Sequence, residues 1–107
     1  MPSEETQEKI QRLSMMEHSL QQFLAQKQQL QAQLLEIESA LEELEKTDSA
    51  YKIVGNIMVA TEKAPLKEDL GKKKELAELK IKTVEKQEEK MRAQTQSLQE
   101  EVMKEMK

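Results

Sequence analysis

The sequence predicts a mainly α protein: a long antiparallel coiled-coil hairpin with one central β-hairpin that oligomerises, joining other copies or a related subunit in a shared sheet or barrel. Three observations predict it. Apolar residues recur at alternating three- and four-residue spacing on both sides of the midpoint, the period of helices that bury one narrow stripe. Between those runs lie two short apolar β-type stretches, 51–54 and 57–59, joined by Gly55-Asn56. Composition is the third: of 107 residues, 36% are charged and 36% hydrophobic, with Phe23 and Tyr51 as the two aromatics. That is too little bulky apolar material for a compact globular core. Low hydrophobicity also marks disordered chains, but a net charge of only −4, two prolines and a regular apolar period argue for order.

The first helix is expected over about residues 5 to 46. Ser3 is placed to cap it, and Glu4 and Glu5 follow where the helix dipole favours negative charge. From Leu13 the heptad is strict. Leu13, Leu20, Lys27, Leu34 and Leu41 occupy one seam position, and Met16, Phe23, Leu30, Ile37 and Leu44 the other. Lys46 and the cluster Thr47-Asp48-Ser49 mark the end.

A β-hairpin is expected over about residues 51 to 60. Gly55-Asn56 supplies the positive φ values that a two-residue turn demands. Val54 then pairs with Ile57, Ile53 with Met58, Lys52 with Val59 and Tyr51 with Ala60. Alternation puts Val54, Ile57 and Val59 on one face and Tyr51, Ile53 and Met58 on the other. Both faces are apolar. A lone hairpin is marginal in water, and six such side chains represent on the order of 10 kcal/mol of available burial. Two helices cannot cover both faces and both edges, so these six residues are read as a subunit-assembly surface.

The second helix is expected over about residues 66 to 105, starting near Pro65, whose fixed φ and missing N–H suit a first turn. Its seam reads Leu70, Ala77, Val84, Met91 and Leu98, with Lys74, Ile81, Glu88, Thr95 and Val102 four residues after each. This stripe is weaker, and Gly71 costs it about 1 kcal/mol relative to Ala. Glu-then-Lys pairs at four-residue spacing, including Glu42 with Lys46 and Glu68 with Lys72, return a few tenths of a kcal/mol each. Helices of equal length pair antiparallel. With Leu41 facing Leu70, Leu13 meets Leu98, and Lys27 falls one turn from Glu88, where the two charges are expected to associate and fix register.

Several function classes drop out. There is no cysteine, hence no disulfide or thiolate chemistry. His18 falls on the outer face with no second ligand at metal spacing. No nucleophile–base set or Gly-rich phosphate loop occurs, so neither catalysis nor a cofactor is expected. Mixed Lys and Glu faces leave no basic stripe for nucleic acid or a membrane surface. No apolar run approaches the roughly 20 residues that span a bilayer, and the chain is expected to be soluble and cytoplasmic. Near the two ends, Ile10, Leu13, Met15 and Met16 face Leu98, Val102, Met103 and Met106, several of them outside the seam. Unbranched, polarizable Met suits a surface that adapts to many partners.

The run Tyr51-Lys52-Ile53-Val54-Gly55-Asn56-Ile57-Met58-Val59, preceded by Ala40-Leu41-Glu42-Glu43-Leu44 and followed by Lys86-Gln87-Glu88, resembles the prefoldin family in its β type. The resemblance spans essentially the whole chain as a single prefoldin-like domain, and one hairpin between equal helices distinguishes it from the longer α type. It implies a hexamer of two α and four β subunits whose hairpins build a β-barrel platform. It further implies an ATP-independent holdase whose coiled-coil tips capture unfolded polypeptides and hand them to a group II chaperonin. The eight terminal apolar residues above would then bind clients. A coiled-coil scaffold or tether, oligomerising through its hairpin and docking one defined partner, is the alternative reading.

Overall fold

The computed structural model describes residues 2–107 and contains α1 (Glu4–Lys46), β1 (Ala50–Val54), β2 (Ile57–Thr61) and α2 (Lys63–Glu105). By their contacts these residues divide into two compact units. One is the chain up to Gln28 together with Lys82–Lys107, and the other is Gln29–Ile81.

In the first unit α1 begins as its sequence dictates. The Thr6 N–H donates to Ser3 Oγ at 3.1 Å and the Gln7 N–H to the Ser3 carbonyl at 3.0 Å, so Ser3 caps the helix. Val84, Leu98 and Val102 of α2 are buried, whereas Leu13, Met16, Leu20 and Phe23 of α1 are half-buried. These seam residues of α1 thus keep one side open to water. Thr95, also buried, donates its hydroxyl to the Met91 carbonyl at 2.8 Å and needs no partner on the other helix. Lys27 Nζ reaches Glu88 Oε1 at 3.0 Å, the association expected from the heptad register.

The second unit holds the connection. Leu44, Ala50, Ala77 and Ile81 are its buried apolar residues, and Lys67 pairs with Glu45 in the same antiparallel sense. Beyond α1, Ser49 N–H donates to Thr47 Oγ1 at 3.2 Å and the Thr47 hydroxyl reaches the Ser49 carbonyl at 3.3 Å, a compact turn that feeds β1. The strands pair antiparallel from Ala50 with Thr61 to Val54 with Ile57, in the register read from the sequence. Glu42 and Lys46 lie 3.9 Å apart and Glu68 and Lys72 3.6 Å apart, with Asp69 and Lys73 adding a further pair at 3.3 Å.

Two local expectations change. The second helix starts at Lys63, earlier than the expected 66, and Pro65 lies inside its first turn. That turn's N–H groups have no intrahelical acceptor, so proline loses nothing there. In the hairpin turn, Gly55 takes φ +61° while no non-glycine among the described residues has a positive φ. Only one of the two turn positions is therefore left-handed. The φ signs are those of a type II′ turn, with glycine first, and Asn56 stays on the ordinary side.

Candidate functional site

Two surfaces stand out, one in each unit. The hairpin carries the first. Ala50 is buried and Thr61 half-buried at its base, but from Tyr51 to Ala60 every residue is exposed. Ile53 is 71% exposed, and Tyr51, Val54, Ile57, Met58 and Val59 are all open to water as well. Cross-strand partners share a face, so Val54, Ile57 and Val59 line one side together with Lys52, and Tyr51, Ile53, Met58 and Ala60 line the other. The pair that closes a two-residue turn exchanges both of its hydrogen bonds. By alternation, Tyr51 and Ile53 on one edge, and Met58 and Ala60 on the other, then direct their N–H and C=O groups away from the hairpin. This two-stranded sheet thus offers two apolar faces and two open edges, the surface that strand addition from another chain would complete. Gly55 and Asn56 form its tip.

The second surface lies where α1 begins and α2 ends. Met15 is 71% exposed, and Ile10, Met103 and Met106 are also exposed. Leu13 and Met16 are half-buried, lining the seam with Met16 forming part of a groove of 510 Å³ beside Arg12, Gln94 and Leu98. Leu98 and Val102 depart from the expectation of an open client surface: at 7% exposure each is packed into the seam, because both occupy heptad positions that point at α1. The accessible apolar area at this end is carried by Ile10, Met15, Met103 and Met106.

A polar cluster closes the same end, and the heptad reading missed it. The Thr6 hydroxyl donates to Glu105 Oε2 at 2.8 Å, Lys9 Nζ binds Glu105 Oε1, and Glu101 Oε2 lies 3.9 Å from Lys9 Nζ. The Lys9 hydrogen bond, then that of Thr6, holds the Glu105 carboxyl below the ordinary carboxylate value. Its sequence signal was a Ser-x-x-Thr step at one end and a Glu four residues after another Glu at the other, too common to single out. Away from these surfaces, His18 sits exposed with Gln22 Nε2 at 3.3 Å. Among the described residues, no helix is long and apolar enough to cross a membrane.

A family model described as prefoldin subunit matches residues 7–107. The chain belongs to the prefoldin family. Prefoldin subunit beta of Archaeoglobus fulgidus is 41% identical to it over 91 residues, covering 82% of this chain and 78% of that protein. The β subunit of Pyrobaculum islandicum is 39% identical over 103 residues, covering 94% of this chain and 82% of its own length. The crystal structure of the prefoldin β subunit from Thermococcus strain KS-1 superposes with a TM-score of 0.89 at 29% identity, covering 97% of this chain and 94% of that one. Prefoldin subunits are chaperone components rather than enzymes, and the two helices joined by a two-stranded hairpin are the prefoldin fold.

Proposed function

We propose that this chain, acting as a single prefoldin-like domain, is the β-type subunit of a cytoplasmic, ATP-independent holding chaperone. Four copies join two prefoldin α subunits through Tyr51, Ile53, Val54, Ile57, Met58 and Val59, forming a β-barrel platform. The helix ends capture unfolded polypeptides through Ile10, Met15, Met103 and Met106, with Leu13, Met16, Leu98 and Val102 behind them, and pass them to a group II chaperonin. The carrying observation is the hairpin, whose six apolar side chains are open on both faces in the isolated chain. Burial of those side chains is on the order of 10 kcal/mol, a driving force of the same order as the cost of association. Exposed methionine at the helix ends supports the client role, since an adaptable thioether accepts many side-chain shapes.

Native mass spectrometry of this chain with and without a candidate α subunit tests the assembly, a six-subunit particle being expected with it. The assembled particle should suppress aggregation of several unrelated denatured proteins without nucleotide. Protection of none of them, with binding of one folded partner instead, would make the chain a coiled-coil scaffold. Deleting residues 1–12 and 99–107 should abolish protection and leave particle mass, corrected for the deletions, in the same stoichiometry.

A further inference from the structure

We propose that Thr6, Lys9 and Glu105 are positioning residues of a clasp that sets how much apolar surface the paired helix ends offer to a non-native client. The inference rests on the chaperone reading above. Thr6, at 2% exposure, is the most buried of the described residues, although it lies in the first turn of α1, where a helix pair runs out and burial should be least. An ordinary N-cap would be complete within α1. Here the cap continues across to the other helix. A carboxylate only accepts, so the Thr6 proton goes to Glu105 Oε2, and the 2.9 Å contact between Ser3 Oγ and Thr6 Oγ1 is then a bond that Ser3 donates. Ser3 Oγ in turn accepts the Thr6 N–H, and Lys9 occupies the remaining Glu105 oxygen. The chain of bonds is closed, every member has its partner, and each polarises the next.

What the clasp covers gives it a role. Val102, one turn before Glu105 on α2, and Leu98, one turn further in, are buried behind it, while Met103 and Met106 stay outside. With the clasp closed a client meets chiefly Ile10, Met15, Met103 and Met106, with the open sides of Leu13 and Met16 beside them. Once it opens, the first turns of α1 and the last turns of α2 part, and Leu98, Val102 and the covered side of Leu13 join that surface. Helix ends are the segments whose local opening costs least, so a few polar bonds there control access in a way they could not in mid-helix. The closed end fits short apolar stretches of a client, and the open end longer ones.

The test uses the assembled particle carrying Thr6→Val, Lys9→Met or Glu105→Gln, beside the conservative Thr6→Ser and Lys9→Arg. Amide hydrogen exchange over residues 3–10 and 98–105 should accelerate about tenfold in the first three, and particle mass should be unchanged. The particle-to-client ratio needed for half-suppression of aggregation should fall roughly twofold for the same three, while both conservative variants behave as wild type. Unchanged exchange overturns the clasp, as does faster exchange with equal or weaker protection, or a loss of particle mass. A wild-type particle that protects no client sinks the chaperone reading and this inference together. Protection by wild type with indistinguishable variants sinks the clasp alone.

Discussion

Lys27 and Glu88 meet across the seam, Nζ to Oε1 at 3.0 Å, in a row whose neighbours are apolar. The second Glu88 oxygen is buried without a hydrogen bond, its nearest cation being Arg92 Nη2 at 3.6 Å. A carboxylate held on one side only is a poor source of stability but a strong determinant of register, since sliding either helix by a heptad strands both charges among apolar side chains.

Replacing Lys27 by Met removes the hydrogen bond to the buried Glu88 and leaves it only the more distant Arg92, 3.6 Å away. Lys27 is only half-buried, so the loss should fall between that of exposed and fully buried pairs, about 2 kcal/mol. The double variant Lys27→Met with Glu88→Leu should regain wild-type stability or exceed it. Denaturant unfolding at fixed protein concentration measures both, and a single variant as stable as wild type would mean that water already compensates Glu88.

The pH dependence follows from the same groups. The Lys27 hydrogen bond, opposed by burial and aided by the Lys27 and Arg92 charges, holds Glu88 below the ordinary carboxylate value of 4.5, and Glu105 is lowered likewise by Lys9 and Thr6. Their stabilisation is therefore full above 4.5 and disappears as pH falls through the depressed values of the folded state. Lys9 is raised above 10.5, mainly by its bond to Glu105, so its contribution is full below that pH and vanishes as pH rises through the folded value. Thermal midpoints should form a plateau from about pH 5 to 10 and fall on both sides. The Lys27→Met, Glu88→Leu double variant should show a shallower acid limb; an identical limb would assign the acid loss elsewhere.

Alanine at the two glycines should act in opposite directions. At Gly55, φ +61° makes any Cβ unfavourable although nothing lies within 4 Å, so Gly55→Ala should weaken the hairpin by about 1 to 2 kcal/mol and loosen the particle. Gly71 lies inside α2 with ordinary φ and open space, and Gly71→Ala should add about 0.5 to 1 kcal/mol. Parallel melting curves decide both, and a particle in which Gly71→Ala is destabilising would show that another subunit packs against that glycine.

Aspartate at Ile57 or Val59 should prevent assembly by placing an unpaired charge in a sheet face that the proposed assembly would bury. Sedimentation is expected to give a lighter, helical species. Unchanged particle mass would remove the hairpin from the interface.

Much of this was legible because it is periodic or obligatory. The heptad of α1 and the seam of α2 place Lys27 beside Glu88 by counting alone, and Gly55-Asn56 between two apolar runs fixes the strand register, since only one pairing closes a two-residue turn. The start of α2 was less legible. Proline marks the first turn but not which of its positions it fills, and Lys63 emerged as the first residue.

Two helices, their antiparallel register and a hairpin with apolar side chains on both faces could be read from residue order, because repeat spacing and turn chemistry act between residues near in the chain. That Leu98 and Val102 are covered, that the turn uses one left-handed residue, and that Thr6, Lys9 and Glu105 close the helix ends came from the folded chain. Burial and hydrogen bonding between residues almost a chain length apart depend on how two helices meet in space, and no local pattern encodes which polar side chain finds which partner there.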